Sequence, residues 1–233
     1  MATTNHISTN DQPICFSFGD GIGQEVMFCA LNMLRFSKAP VHVHTIEIGQ
    51  RAFSHGFRYG VPGSCMDKIM EYKILLKGPM GPPQRQEFKE LDLATYLQCP
   101  QTFVSNAPFG TLGIRNTAHM QAMTYIGKDH AIFEPNHPFM PELEDTNTAN
   151  PTGAIMATCM MLYYLGLHEH ADSIQHALLK TIEEEIYTMD MNNTNYVSTN
   201  EFTQQVCQRL GQLSTAPLFK PHYDYTEHNT KKV

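Results

Sequence analysis

The first third of the chain alternates short apolar runs with segments of helical periodicity. Each strand candidate is a short run of apolar residues or an apolar and polar alternation, and each helix candidate has apolar residues at helical spacing. The predicted elements, in order, are a strand at 14–18, a helix around 26–34, a strand at 41–48, a helix at 62–72 and a strand at 74–76. This alternation predicts an α/β fold in which an open sheet has helices on both faces.

The middle of the chain lacks a clear period. Residues 78–124 contain several prolines and only weak apolar periodicity, so this stretch is predicted to be connection rather than core. A brief strand is expected at 131–133, and an irregular loop follows it as far as Asn150.

Three helices are predicted in the last third. Pro151 is placed to open a helix that is apolar on every side and ends at Gly166, which is typical of a buried helix. An amphipathic helix should follow from 171 to about 189 and pack against it as a hairpin. Ser198 and Glu201 have the spacing of a capping box and open the last helix.

The pattern predicts one domain with two polar ends. No Pro, Gly and Ser-rich linker divides the chain, so residues 14–213 are expected to form a single domain. Residues 1–13 are expected to be a flexible N-terminus without a signal or transit peptide, and residues 214–233 a polar tail.

Composition narrows the classes of function. The chain has 233 residues, 42% of them hydrophobic, and a net charge of −7, which argues against a nucleic-acid partner. The longest apolar run, 154–165, is too short for the ~20 residues that span a bilayer. Six scattered cysteines favour a reducing compartment. The expected partners are proteins or small molecules.

Two motifs resemble functional sites without matching them. Gly19, Gly21 and Gly23 follow a strand, but the third glycine comes one residue too early for the dinucleotide fingerprint, so we interpret them as a tight turn. The histidine pairs at 42/44 and 168/170 have no second half at zinc spacing, so no metal site is predicted.

Four segments together resemble the isocitrate and 3-isopropylmalate dehydrogenases, the decarboxylating dehydrogenases. They occur in that family's order and in the expected elements, and the similarity is greatest to the C-terminally extended isocitrate dehydrogenases. The segments are FGDGIGQEV at 18–26, ILLKGP at 74–79, AIFEPNH at 131–137 and ANPT at 149–152. The resemblance implies the family's large α/β domain.

The same resemblance implies that the substrate site has been lost. The positions of the family's serine, asparagine and first arginine are Glu90, Asp92 and Tyr96 in this chain. A tricarboxylate requires cationic groups, and two acids would repel it. After about Pro108 the chain passes almost directly to Gly127, so the central small domain, with its metal aspartates, lysine and tyrosine, is expected to be missing.

The cofactor loop is partly retained by the same comparison. Glu134, His137 and Asn150 match positions that meet adenosine in the family, which suggests the remnant of an NAD pocket. Pro138 replaces a glycine and removes both an N–H and the freedom of the turn. A structural role in the loop and in the helix that follows it explains these residues equally well.

The resemblance leads to three functional hypotheses. The first is a catalytically inactive structural or regulatory subunit that forms a dimer or hetero-oligomer in a larger complex, with the apolar helix at 153–165 as an interface. The second is an NAD-dependent isocitrate dehydrogenase subunit that is active only with a longer paralogue. In that case the basic residues near the shortened loop that are left to anchor the substrate are Arg85, Lys89 and Arg115. The third is an adenine-nucleotide sensor. The family's metabolic role places the chain in the mitochondrial matrix, or in a matrix-facing complex, if the source is eukaryotic, and in the cytoplasm otherwise.

Overall fold

The computed structural model describes residues 11–114 and 117–223, which form one six-stranded sheet with helices on both faces. The strands are β1 (Gln12–Ser17), β2 (Val41–Thr45), β3 (Ile74–Lys77), β4 (Gln101–Val104), β5 (Ala122–Ile126) and β6 (Ala131–Pro135). The helices are α1 (Gly23–Ser37), α2 (Gln50–Ser54), α3 (Gly63–Tyr72), α4 (Leu93–Tyr96), α5 (Thr152–Tyr164), α6 (His168–Glu183) and α7 (Thr199–Gln208). The predicted α/β class is therefore confirmed.

The strand order creates a crevice beside β1. The strand order in the sheet is β2-β1-β3-β6-β5-β4. Strands β2, β1, β3 and β6 are parallel, and β5 is antiparallel to both of its neighbours, β6 and β4. The chain leaves β1 to form β2 on one side and later returns to form β3 on the other. The crevice of an open α/β sheet lies at the carboxyl ends of the strands where the order reverses in this way.

Alternate residues of the central strands build two cores. Ile14 and Phe16 of β1 face the larger core, which contains α1, α5, α6 and α7. Cys15 and Leu75 face the smaller core, to which α3 contributes Ile69. This alternation follows from the two-residue period of a strand and explains why helices cover both faces.

Helix α5 lies in the centre of the larger core. Residues 152–163 are all buried, and the helix packs against α1, α6, β5 and β6 of its own chain. The hypothesis that the apolar helix at 153–165 forms an interface is therefore wrong, because this chain itself covers it. Among the described residues, no helix is long and apolar enough to cross a membrane.

The middle of the chain is more regular than its pattern predicts. β4 and the first half of β5 lie within the stretch interpreted as connection, and the two strands form an antiparallel pair at the end of the sheet. β5 alternates buried and half-buried positions over only five residues. Such short strands have little intrinsic preference, and the cross-strand partners stabilise them.

The predicted helix ends were partly correct. The Ser198 hydroxyl accepts a hydrogen bond from the Glu201 N–H at 3.2 Å, as the capping box predicted. Helix α6 ends at Glu183 rather than near 189, and residue Glu185 then adopts a left-handed conformation with φ of 60°. The strand predicted to end at 48 ends at Thr45.

Parts of both predicted ends lie against the domain. β1 already begins at Gln12, whereas residues 1–10 lie outside the described part. The Glu183 carboxylate accepts hydrogen bonds from residues 214–216, and the Tyr223 hydroxyl donates to the Met160 carbonyl at 3.0 Å. Residues 224–233 are not described.

Candidate functional site

Asp20 joins three loops at the carboxyl ends of β1, β2 and β3. One carboxylate oxygen accepts the Gln50 N–H at 2.9 Å, and the other accepts the Gly81 N–H at 2.7 Å. Burial raises the pKa of Asp20, although these two N–H groups and Lys77 oppose the shift. A buried carboxylate thus holds together the loops that border the crevice beside β1.

The glycine turn is used for close packing of backbone. A Cβ on Gly19 would lie 2.2 Å from the Pro79 oxygen, and a Cβ on Gly21 would lie 1.9 Å from the Phe139 oxygen. The same two carbonyls accept the Asp20 N–H at 2.8 Å and the Ile22 N–H at 2.9 Å. Because the chain's own carbonyls occupy these donors, neither is available to a phosphate, which supports the interpretation as a tight turn.

A cavity of about 320 Å³ lies beside these loops, at the ends of β3 and β6. Its lining includes Lys77, Met80, Glu90 and Met123, with Glu134 and residues 135–138 on the cofactor loop. The buried Lys77 amine forms an ion pair with the Glu134 carboxylate and also donates to the Gly78 carbonyl at 3.3 Å. The positive charge of Lys77 is therefore compensated within the chain.

The structure brings two of the three replaced substrate positions near each other, since Glu90 and Asp92 line one groove, which Tyr96 does not. Glu90 lines the cavity, where partial desolvation raises its pKa and the nearby Lys77 opposes the rise. Asp92 instead caps α4, since it accepts the Thr95 N–H at 3.1 Å, and hydrogen bonds from Thr95 lower its pKa. Tyr96 is 55% exposed on α4. The cavity thus presents acids around one neutralised amine, an arrangement that disfavours a polyanion.

Glu134 and Asn150, two residues of the cofactor-loop remnant, already have partners. Glu134 pairs with Lys77 and also with Tyr125, whose pKa is raised to about 12 by burial and by this carboxylate. The Asn150 side chain accepts the Thr152 N–H at 2.9 Å and donates to Asp190 at 2.9 Å. In this arrangement their polar groups serve the loop and the start of α5.

His137 is the member of the remnant with unused hydrogen-bonding capacity. Its Nδ1 lies 2.9 Å from the Pro138 carbonyl oxygen, which favours a proton on Nδ1. The Nε2 atom is buried and has no hydrogen-bond partner among the described residues. Burial lowers the pKa of His137, so the ring is neutral at pH 7. Because Glu134 and Asn150 are already partnered, His137 would offer NAD only one neutral acceptor, and in this arrangement the described residues of the loop do not fit NAD.

Asp190 is a site residue that the sequence did not predict. Its carboxylate contacts the His119 ring and accepts hydrogen bonds from Asn150 and from the Thr188 hydroxyl, the latter at 2.6 Å. Burial alone would raise the pKa of Asp190, but these hydrogen bonds lower it. His119 is 71 positions away in the chain, so no local pattern could have indicated the pair.

The remaining candidates do not complete a catalytic site. Arg85 lies over the Phe88 ring at 5.7 Å, Lys89 is exposed, and Arg115 lies outside the described residues. Within 11–114 and 117–223, no group of three His, Cys, Asp or Glu side chains is arranged to hold a metal ion. The Asp129 carboxylate, one of the acids in this part of the chain, lies 3.9 Å from the Lys73 amine.

Comparison with known proteins confirms the resemblance seen in the motifs. Residues 102–206, which run from within β4 into α7, match the family model described as isocitrate/isopropylmalate dehydrogenase. The isocitrate dehydrogenase (NADP) of Rickettsia felis is 36% identical over 110 residues, 46% of this chain and 22% of that protein. The mitochondrial isocitrate dehydrogenase (NAD) subunit 2 of Saccharomyces cerevisiae is 38% identical over 103 residues, 43% of this chain and 26% of that protein. The matches thus span about a quarter of these relatives.

Solved structures share the fold over most of the chain. An isocitrate dehydrogenase from Methylococcus capsulatus superposes with a TM-score of 0.76 at 16% identity, covering 86% of this chain and 100% of that one. A beta-decarboxylating dehydrogenase from Thermococcus kodakarensis gives 0.75 at 16% identity, covering 85% and 96%. At this identity the similarity establishes the fold alone.

Proposed function

Because the chain is a relative of the isocitrate/isopropylmalate dehydrogenases over residues 102–206 and has their fold, we propose that it is a catalytically inactive member of that group. It acts as a structural or regulatory subunit of a larger complex. The observation that supports this proposal is the charge in the cavity, where Glu134 neutralises Lys77 and a further acid, Glu90, is part of the lining.

Charge explains why this cavity is unsuited to isocitrate. A tricarboxylate is bound by several cationic donors, preferably the paired N–H groups of arginine. Here Glu90 and Asp92 stand at substrate positions, and Asp20 adds a third carboxylate nearby. Binding a trianion would require Lys77 to leave Glu134, which would leave that carboxylate unpaired next to the ligand.

The remnant of the cofactor loop has a structural role in this proposal. Asn150 ties the start of α5 to Asp190, and Glu134 anchors Lys77 between β3 and β6. Residues retained for such contacts keep the loop and the buried α5 in place without binding a nucleotide. The pseudoenzyme would thereby preserve the family's fold while losing its chemistry.

The names of two relatives suggest the compartment and the assembly in which this chain functions. Both relatives are named as subunit 2 of a mitochondrial isocitrate dehydrogenase (NAD). We accordingly place the chain with other protein subunits, in the mitochondrial matrix or a matrix-facing complex if the source is eukaryotic and in the cytoplasm otherwise.

The decisive experiment is gentle purification of the chain from its source, followed by native mass determination and mass-spectrometric identification of every chain in the complex. Isocitrate-dependent reduction of NAD+ and NADP+ with Mg2+ is measured on the complex and on the isolated chain. We expect stoichiometric protein partners and no turnover by the isolated chain. Turnover by the chain alone would refute the proposal, as would a chain isolated without any partner.

A second candidate is a subunit of an NAD-dependent isocitrate dehydrogenase that is active only with a longer paralogue. The identity to the yeast subunit 2 proteins favours it. In that case the native complex would contain the longer subunit and would form NADH from isocitrate, and removal of this chain would abolish the activity.

The third candidate, an adenine-nucleotide sensor, depends on the unpartnered Nε2 of His137. It predicts that millimolar NAD, NADH, ATP or ADP raises the unfolding temperature of the isolated chain, and that His137→Phe removes the effect. Unchanged unfolding temperatures with all four nucleotides would exclude this candidate.

A further inference from the structure

The two edges of the sheet differ in how they meet solvent. At one edge, β2 has half-buried residues along Val41–His44. At the other edge, Gln101, Thr102 and Val104 of β4 are exposed, and the Val104 side chain is 47% exposed. An exposed edge strand is a template for pairing with another strand.

The register shows which backbone groups of β4 point outward. The Ser105 N–H donates to the Ala122 carbonyl at 2.9 Å, and Phe103 lies opposite Thr124 two positions along. Hydrogen-bonded and non-hydrogen-bonded pairs alternate in an antiparallel ladder, so Thr102 and Val104 direct their N–H and C=O groups away from β5. Within the described residues, no backbone hydrogen bond outside the sheet ladder involves either residue.

Apart from its short length of four residues, this edge lacks the features that commonly prevent pairing. Residues 101–104 contain no lysine or proline, and the pairing with β5 continues through them without a bulge. Native proteins use lysine, proline or a bulge to protect an open edge. Pro100 interrupts the donor row only at its beginning.

Charge favours a second copy of this chain as the occupant. The chain has a net charge of −7, so two copies repel each other over most of their surfaces. Residues 97–114 contain no Asp, Glu, Lys, Arg or His, which makes the β4 edge a place where two copies meet without like charges opposed.

The residues of β4 are also complementary to themselves. In antiparallel pairing about a two-fold axis at Phe103, Thr102 of one copy exchanges backbone hydrogen bonds with Val104 of the other, and the reverse. The two Phe103 rings then lie opposite each other on the helix side, where Phe103 already packs edge-to-face with Tyr223 at 5.3 Å. Thr102 faces Val104 on the other side, and β-branched pairs of this kind stabilise sheets.

From this geometry we propose that two copies of the chain associate through β4 and form one continuous sheet across a two-fold axis. The inference is independent of the proposed function, because none of residues 101–104 lines the cavity and because pairing through β4 does not depend on whether the chain is catalytic. A strand of this length buries less than the ~800 Å² per partner of a typical stable interface, so the dimer should dissociate on dilution.

The test is sedimentation equilibrium of the purified full chain across micromolar concentrations. We expect a transition from 26.4 kDa to twice that mass. Thr102→Pro removes an outward N–H but no bond to β5, and should weaken dimerisation at least tenfold. The matched control, Thr102→Val, keeps the N–H and should leave dimerisation unchanged. Thermal unfolding of both variants verifies that they fold.

A second pair of variants and a truncation separate the alternatives. Val104→Lys should produce a monomer, because it places two like charges on one face of the joined sheet, one residue to either side of the two-fold axis, whereas Val104→Thr should not. A wild-type chain that remains monomeric at high micromolar concentration would overturn the proposal, as would a Thr102→Pro chain that still dimerises. Deletion of residues 224–233 should not change the mass, since a dimer that appears only after deletion would identify the C-terminal residues as the occupant of the edge.

Discussion

Replacing Asp20 tests whether one carboxylate organises the crevice beside β1. Its two oxygens accept the buried Gly81 N–H at 2.7 Å and the Gln50 N–H at 2.9 Å, and these donors belong to the loops after β3 and β2. Asp20→Ala removes both acceptors and leaves both donors without them. Asp20→Asn keeps one carbonyl oxygen but turns an NH2 group towards the other donor.

The magnitude follows from the two hydrogen bonds. Each charge-assisted bond contributes ~1.5–3 kcal/mol, so their loss alone would cost about 3–6 kcal/mol. Burial of the carboxylate offsets part of this gain, as the raised pKa of Asp20 indicates. We therefore expect Asp20→Ala to lower the free energy of unfolding by about 2–4 kcal/mol, and Asp20→Asn by about half as much.

Urea unfolding at pH 7, followed by far-UV circular dichroism, measures the change. Hydrogen exchange of the Gln50 and Gly81 amides reports the same contacts locally, and both should lose protection in Asp20→Ala. The exposed residue Asp67, replaced by Ala, serves as a control that removes a carboxylate without these contacts. A loss below about 0.5 kcal/mol for Asp20→Ala would refute the reasoning, since that is the range of ordinary surface substitutions.

The other predictions concern the cavity and the C-terminal helices. Lys77→Met should lower the free energy of unfolding by about 2–4 kcal/mol because it leaves the Glu134 carboxylate unpaired, and adding Glu134→Leu should recover most of the loss in urea unfolding. Ser198→Ala removes the hydroxyl that accepts the Glu201 N–H and should cost about 1 kcal/mol, whereas Ser198→Asp should restore it. Desolvation raises the pKa of Glu183, but hydrogen bonds from residues 214–216 outweigh it and lower this pKa from 4.5 to about 2. The ionised carboxylate therefore contributes its full stabilisation above pH 4.5, and this contribution is lost as the pH falls towards 2. Glu183→Gln should therefore be less stable than the wild type at pH 7 and nearly equal to it at pH 2; a difference that does not change between these two values would contradict the assignment.

Much of the fold follows from local pattern. The periodicity of α1 and α6, the capping box at Ser198 and the apolar runs of β1 and β3 each depend on neighbouring residues, so the sequence was sufficient to predict them. The apolar α5 was correctly predicted as a buried helix. Its packing against α6 as a hairpin was also predicted, because the two helices follow each other in the chain. Its contacts with α1, β5 and β6 were not predicted, because these elements are not adjacent to α5 in the chain.

The candidate site divides in the same way. The sequence by itself determined the chemistry present: acids at Glu90 and Asp92, which the family resemblance aligns with substrate positions, and a proline at position 138, in the loop that resembles the family's cofactor loop. Only the tertiary structure decided how these groups are used. It pairs Lys77 with Glu134 and Asn150 with Asp190, and it leaves β4 at an open edge of the sheet. The physical reason is that hydrogen bonds, ion pairs and strand registers join segments many residues apart, so their partners are selected by the packing of the whole domain rather than by any local pattern.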